Sequence, residues 1–271
     1  MTSSPFTDPS TVAALYSDTT RTQQRTGALL TAKTSGDDAT NTIVDLTARH
    51  TPDNPAVCEI GCGRGTVALA LADRLAPVKL TVVDISEAHL ATVAHRAAKT
   101  GFTINTVQGD FHQLPLPDAD FDAIVAAFCL YHSPRPRAVI AEIARCLAPG
   151  AHVVLATKSA DSYREIDQLM ADTGLDPDAT TRPSLYQSFH SHNADDITAT
   201  ALEVEDVIHR EHVFRFDDFY HLAAYAATIP KYQLPQPLTS PGALAAELRR
   251  RTRERPIVTT STVTYLTGKQ Q

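Results

Sequence analysis

The segment Val57-Cys58-Glu59-Ile60-Gly61-Cys62-Gly63-Arg64-Gly65-Thr66 places three glycines at alternate positions directly after a short apolar run. Alternating glycines allow a turn too tight for residues that carry side chains, and they leave bare backbone for a ligand to approach. Behind the turn, Val67, Ala70, Leu71 and Leu75 repeat at helical spacing, so it joins a strand to a helix. The residues up to 157 continue in the same rhythm. Runs at Ala56–Ile60, Val78–Asp84, Phe102–Val107, Phe121–Phe128 and His152–Thr157 are rich in Val, Ile, Leu, Ala or Phe, as strands covered on both faces should be. Leu90, Val93, Ala94 and Ala97 mark an intervening helix that stops at Gly101, and Ala138–Leu147 marks another, ended by Pro149-Gly150. Strand alternating with helix predicts a parallel sheet with helices on its faces.

The flanks are less regular. Thr11–Leu30 and Ala39–His50 read as two helices separated by the polar stretch Thr34-Ser35-Gly36-Asp37-Asp38, a lid rather than a domain. Beyond Thr157 come a helix near Asp161–Thr173, a loop from Gly174 to Pro183 and a short helix at Ala194–Leu202. An alternating run, Glu203–Phe216, follows and fits a sixth strand parallel to the others. Helices at Asp217–Thr228 and Gly242–Arg253 precede a β-branched run, Ile257–Leu266, read as the last strand. The expected fold is α/β: a doubly wound, mostly parallel, seven-stranded, Rossmann-like sheet with an N-terminal helical lid and a helical insert before the last strand. Its divisions fall at 1–50 (lid), 51–216 (cofactor-binding core), 217–256 (helical cap) and 257–271 (final strand of the core).

Composition narrows the class of partner. With 43% hydrophobic and 20% charged residues in 271, the chain can bury a core, and its net charge of -7 opposes a nucleic acid or an anionic membrane. A small molecule is the expected partner, and a homodimer is compatible with the sequence. No run of 18 apolar residues occurs, and the first thirty residues lack the pattern of a signal peptide, so a cytoplasmic location is expected. Cys58, Cys62, Cys129 and Cys146 form no C-x-x-C pair and fall in apolar segments, as reduced, packed thiols do.

The chemistry is concentrated at the strand ends. Dinucleotide enzymes space their glycines G-x-G-x-x-G, whereas here the spacing is G-x-G-x-G and Thr66 follows. Glu59, two positions before the first glycine, would sit badly against a pyrophosphate and well against a cation. A positively charged cofactor without phosphates is therefore favoured. Asp84 closes the second strand where an acid accepts both hydrogen bonds of a ribose diol. After the third strand, Asp110 and Phe111 offer an acceptor and a ring face suited to adenine. The fourth strand leaves through Phe128-Cys129-Leu130-Tyr131-His132, so four strand ends meet at one crevice.

In order and spacing these residues resemble the class I S-adenosylmethionine-dependent methyltransferases. The match rests on Glu59-Ile-Gly-Cys-Gly-Arg-Gly65, on Val-Val-Asp84-Ile, and on the run from Gly109-Asp110 through Phe121-Asp122 to Leu147-Ala-Pro-Gly150, and it covers about residues 40 to 160. The resemblance implies S-adenosylmethionine as cofactor, with Glu59 and Gly61 near its amino group and Gly63 near the sugar and sulfur. It also places Asp84 on the ribose, Ile85 against adenine, and Asp110 with Phe111 at the adenine edge. Phe128 joins this set. Tyr16 resembles the tyrosine that some small-molecule members fold over the cofactor.

His132 follows the fourth strand, where the family often presents a residue to the acceptor, and imidazole suits proton removal near neutral pH. His190 with His192, and His209 with His212, lack a convincing set of metal partners, so no metal is expected. Arg249, Arg250, Arg251, Arg253 and Arg255 read as a solvated helix end. Phe219, Tyr220, His221, Tyr225 and Tyr232 could line an acceptor pocket or build the core of the insert. The expected activity is methyl transfer to an oxygen or nitrogen, with carbon open, of a small metabolite. A nicotinamide-dependent oxidoreductase and a non-catalytic module of the same fold are the alternatives.

Overall fold

The computed structural model describes residues 4–17 and 19–271, with the side chains of Ser17 and Thr19 left aside. Along the chain it runs α1 (Pro9–Ser17), α2 (Thr19–Ala32), β1 (Lys33–Ser35), α3 (Ala39–Arg49), β2 (Ala56–Ile60), α4 (Thr66–Leu75), β3 (Lys79–Asp84), α5 (Glu87–Thr100) and β4 (Asn105–Gln108). It continues with β5 (Phe121–Ala127), α6 (Pro136–Cys146), β6 (Leu147–Lys158), α7 (Arg164–Asp172), α8 (Ala194–Thr198), β7 (Glu203–Phe216), α9 (Phe219–Ala226), α10 (Pro241–Arg251) and β8 (Ile257–Lys269). Two compact units emerge, one of residues 37–158, 188–209 and 263–271, the other of 1–36, 159–187 and 210–262.

In the first unit the strands lie in the order β7, β8, β6, β5, β2, β3, β4, with β7 and β8 contributing the parts that belong to it. Parallel pairing joins β6, β5, β2, β3 and β4, while β8 runs antiparallel to β6. Pairing in register brings the carboxyl ends level: Ile60 lies beside both Val83 and Ala126, and Asp84 beside Gln108. The buried runs expected for a doubly covered sheet are present, with Val57, Cys58, Ile60, Val82 and Ile124 wholly inaccessible. Ile43, Val44 and Leu46 of α3 and Val67, Leu71 and Ala72 of α4 pack on Val125, Val154 and Tyr265 of the sheet.

Helix caps explain several boundaries. The Ser86 hydroxyl accepts from the His89 amide at the start of α5, and Gly101 ends that helix at φ 77°, a left-handed conformation that glycine adopts without strain. Other boundaries depart from the sequence expectation. β5 stops one residue early because Phe128 turns to φ 56°. β4 begins at Asn105, since Phe102 and Ile104 turn into the core as loop residues. α6 ends at Cys146 and the chain passes directly into β6 at Leu147, paired with Phe121, so Pro149 and Gly150 lie within the strand segment instead of stopping the helix.

In the second unit, the helix expected over 11–30 is two helices. Part of the expected linker forms β1, an eighth strand paired antiparallel with β7 at Phe214 and Val213. Its partners are backbone groups and its side chains are largely exposed, so hydrophobic periodicity carried no sign of it. α9 packs against α2 and α10. Arg21 and Gln24 of α2 donate to the carbonyls of Ala227 and Ala224 at 2.7 and 2.9 Å. An aromatic core holds this unit together: the Tyr163 ring lies 5.4 Å from that of Phe214 and 5.5 Å from that of Tyr225, which stacks on Phe216. Phe219 and Tyr225 therefore build the core of their own unit, whereas Tyr220 is exposed. Tyr225 and Tyr232 also line a chamber with Tyr163, Tyr186 and the Asp167–Lys231 pair, but at about 20 Å³ it holds roughly one water.

Candidate cofactor site

The turn after β2 is held by the backbone of its neighbour. The Gly61 amide donates to the Val83 carbonyl at 2.8 Å and the Gly65 amide to Cys62 at 2.8 Å, while Gly61, Gly63 and Gly65 all take positive φ. The three glycines serve different ends. A Cβ on Gly61 would stand 2.6 Å from the Cys129 Cβ, and one on Gly65 would stand 2.7 Å from a Val93 methyl of α5. A Cβ on Gly63 would meet no protein atom within 4 Å, so this glycine faces open space. Packing dictates the first and third glycines, and the second leaves an approach to bare backbone.

Glu59 lies beneath this turn, 3% exposed, and its Oε2 has no hydrogen-bond partner. Burial pushes its carboxyl up to about 8, against the Ala68 amide in the first turn of α4, which favours the charge. A carboxyl so placed is neutral or waits for a cation. Asp84, at the end of β3, is its electrostatic neighbour with the opposite balance. Burial disfavours its charge, but hydrogen bonds from the His89 ring and the Ser86 and Gly63 amides outweigh it and hold the carboxyl below its usual range. Oδ1 accepts from Ser86 N at 2.8 Å and faces His89 Nδ1 at 3.3 Å, while Oδ2 accepts from Gly63 N at 2.8 Å. A carboxylate has about four acceptor directions, so roughly one remains for a ligand hydroxyl, on Oδ2.

Ile85 follows with two-thirds of its side chain exposed, an uncommon place for a large aliphatic group unless something covers it. The next strand is tied in by Gly109 N to the Asp84 carbonyl at 3.2 Å and by the Gln108 amide to the Ile85 carbonyl at 3.1 Å. Asp110 is half-exposed. Burial opposes its charge, yet the amide and ring of His112 keep its carboxyl low. The relay continues, with Asp110 Oδ1 to His112 Nδ1 at 2.7 Å and His112 Nε2 to the buried Ser133 hydroxyl at 2.7 Å. The ring of Phe111 lies edge-on to that of His112. Beyond β5, Phe128 holds its left-handed backbone with its amide on the Ala156 carbonyl, and the Lys158 ammonium lies 5.9 Å from its ring. His132 closes the short 3-10 turn of 130–132, its ring 4.7 Å from that of Tyr131.

Glu59, Gly61, Gly63, Asp84, Ile85, Asp110, Phe111, Phe128 and His132 thus all belong to the first unit, at or just past the carboxyl ends of β2 to β5. Tyr16 belongs to the other unit, in α1, with the Arg25 guanidinium 5.6 Å from its ring centre. A concavity of about 460 Å³ lies instead at the amino ends of β3 and β4, around Val78, Lys79, Phe102 and Asn105. Nothing in it offers a charged partner for a cationic ligand. His89, His112 and Ser133 are not singled out by the sequence, and Cys129 is read there only as a packed thiol. His89, three residues after a capping serine, and His112, two residues after Asp110, carry a local signal, whereas the contacts of His112 with Ser133 and of Cys129 with Ile60 join residues remote in the chain.

Several of the other histidines and arginines singled out from sequence have structural explanations. His190 Nδ1 accepts the His192 amide in a turn, and His209 Nδ1 meets the Thr264 hydroxyl at 2.8 Å. Arg249 pairs with Glu254, and Arg250 and Arg251 with Glu247. All four thiols are free and buried.

An α/β sheet with a glycine turn over a buried, partly orphaned glutamate and an aspartate on the next strand is the arrangement that the resemblance to class I S-adenosylmethionine-dependent methyltransferases implies. The comparisons agree. Residues 57–150 match the methyltransferase domain family. It is 26% identical over 152 residues to the malonyl-[acyl-carrier protein] O-methyltransferase of Paenibacillus sp., covering 54% of this chain and 55% of that one. It is 33% identical over 121 residues to the fatty-acid O-methyltransferase of Mycolicibacterium smegmatis, covering 44% and 43%. The chain thus spans about half the length of these curated relatives. A solved S-adenosylmethionine-dependent methyltransferase from Aquifex aeolicus shares the fold, with a TM-score of 0.54 and 12% identity over 97% of this chain and 99% of that one. No helix among the described residues is long and apolar enough to cross a membrane.

Proposed function

We propose that this chain transfers the methyl group of S-adenosylmethionine to an oxygen of a small organic acceptor, with nitrogen and carbon as the other acceptor atoms to test. The observation that carries this reading is the orphaned Oε2 of Glu59 beneath a glycine turn that is open only at Gly63. A buried carboxyl with a free acceptor suits an ammonium group and repels a pyrophosphate, which favours this cofactor over a nicotinamide dinucleotide. Oxygen comes first because two of the relatives are named as O-methyltransferases of acyl substrates.

When bound, S-adenosylmethionine supplies a methyl group already activated on a sulfonium. The residues of the chain then have three tasks. Glu59 fixes the amino group, Asp84 accepts from a ribose hydroxyl through Oδ2, and Ile85, Asp110 and Phe111 hold the base by cover and hydrogen bonding. Phe128 and His132, past the end of β5, face the acceptor side, where His132 takes up the proton the acceptor gives off. Because the electrophile is pre-activated, alignment provides most of the acceleration and the base assists. The net charge of -7 favours a small acceptor over nucleic acid, and the reduced buried thiols fit a cytoplasmic location.

Calorimetric titration with S-adenosylhomocysteine and with NAD tests the cofactor. Transfer of labelled methyl to a panel of carboxylic acids, phenols and amines tests the acceptor. Tight binding of NAD with none of S-adenosylhomocysteine would overturn the proposal.

A further inference from the structure

A second cluster lies far along the strands from the glycine turn, within the same unit. His50 is the C-cap of α3, His152 stands in β6 opposite Ala123 near the beginning of β5, and Glu205 lies near the beginning of β7. Glu205 Oε2 is 3.3 Å from His152 Nε2 and 3.9 Å from His50 Nδ1, and the two imidazole centres are 4.7 Å apart with their planes tilted by 32°. All three donor atoms fall within 4.8 Å of one another, the one such grouping of histidine, cysteine and carboxylate among the described residues.

Hydrogen bonding alone accounts poorly for this arrangement. Both imidazoles direct a nitrogen toward one carboxylate oxygen, and the His50 nitrogen, at 3.9 Å, is beyond hydrogen-bond reach. A small cation among the three atoms would satisfy all of them. Donors about 2.0–2.1 Å from a tetrahedral ion stand roughly 3.3 Å apart, which the His152–Glu205 pair already meets. His50 needs to close in by a rotation of an imidazole that is itself partly exposed. Burial lowers the pKa of His152, against the pull of Glu205. The Lys269 ammonium also faces His152.

We propose that His50, His152 and Glu205 form a binding site for one divalent transition-metal ion of the zinc type, with water completing the coordination. Two imidazoles and one carboxylate select such ions over magnesium or calcium, which take all-oxygen sets. The ion would tie the end of α3 to β6 and β7, segments remote in sequence, and so act as a structural clip apart from the cofactor site.

The test uses the full chain after dialysis against a chelator, titrated with Zn2+ by calorimetry and with Co2+ by its visible absorption. One ion per chain is expected, with a rise in Tm of several degrees at saturation and no response to Mg2+. His152→Ala and Glu205→Gln should each weaken zinc at least ~10- to 100-fold while leaving S-adenosylhomocysteine titration unchanged. His50→Gln provides a third, milder variant should either of the others fail to fold. Zinc affinity unchanged in the folded variants, as an ion held by His190 and His192 would give, overturns the proposal. So does failure of the unmodified chain to bind zinc below millimolar concentration.

Discussion

The amide of Gly63 donates to Oδ2 of Asp84 at 2.8 Å, so the carboxylate that would hold the ribose also fixes the middle of the glycine turn. Two tasks rest on one side chain, and they can be separated. Asp84→Asn retains the size but loses the charge, and should weaken S-adenosylhomocysteine by about 10- to 100-fold, in line with ~1.5–3 kcal/mol for a hydrogen bond to a charged group. His89→Ala removes only a supporting contact and should cost about tenfold or less. Calorimetry on both variants checks the order. Equal losses would mean that Asp84 acts through the turn and not on the ligand.

The three glycines should respond differently to alanine. Gly61→Ala drives a Cβ to 2.6 Å from Cys129 at a positive φ, so lower Tm and poor yield are expected. Gly63→Ala meets no atom and pays only the backbone strain, about 1 kcal/mol. It should fold and melt nearly as the parent does, yet lose cofactor affinity because the methyl occupies the approach. Thermal melts paired with titrations distinguish the two.

Glu59 sets a pH dependence with a definite sign. Its carboxyl sits at about 8, against an ordinary 4.5, and a cationic ligand binds the ionised form. Cofactor affinity should therefore rise with pH by up to about tenfold per unit below 8 and level off above it. The ligand-free protein should behave in the opposite way. Between 4.5 and 8 the folded state keeps a proton that the unfolded state has released, so this group makes stability fall as pH rises through that window. Glu59→Gln should flatten both profiles.

His132→Ala tests the proton acceptor. The expectation is a fall in kcat of about 10²-fold or more with cofactor affinity unchanged. A smaller effect on an acceptor of low pKa than on one of high pKa would identify the group as a base and not a packing residue.

In the second unit, Lys231 is 8% exposed and its ammonium meets Asp167 Oδ2 at 2.5 Å, while the Tyr232 hydroxyl donates to Oδ1 at 2.8 Å. Burial, only partly offset by these partners, raises the Asp167 pKa. Lys231→Met strands that carboxyl and should cost about 3 kcal/mol. A drop in Tm of roughly 6–12 °C is then expected for a chain of this size. Asp167→Asn in the Lys231→Met background should recover part of it.

Local chemistry made much of the core readable in advance. Strands β2, β3 and β5 are largely apolar runs because both faces are covered, and helices α4 and α5 show their buried stripes in the residues themselves. The glycine spacing with Glu59 before it and Asp84 after it could be read the same way, since each lies within a few residues of a strand end. Boundaries set by distant partners could not. β1 is an edge strand joined through backbone groups, Phe128 bends β5 short, and β6 begins early because Leu147 finds Phe121. What the tertiary structure alone decided is where charges lie relative to one another: that Asp110 reaches Ser133 through His112, that one oxygen of Glu59 is left without a partner, and that His50, His152 and Glu205 converge. Periodicity and turn chemistry act over a few residues and are written along the chain, whereas desolvation and pairing depend on which segments the sheet brings together.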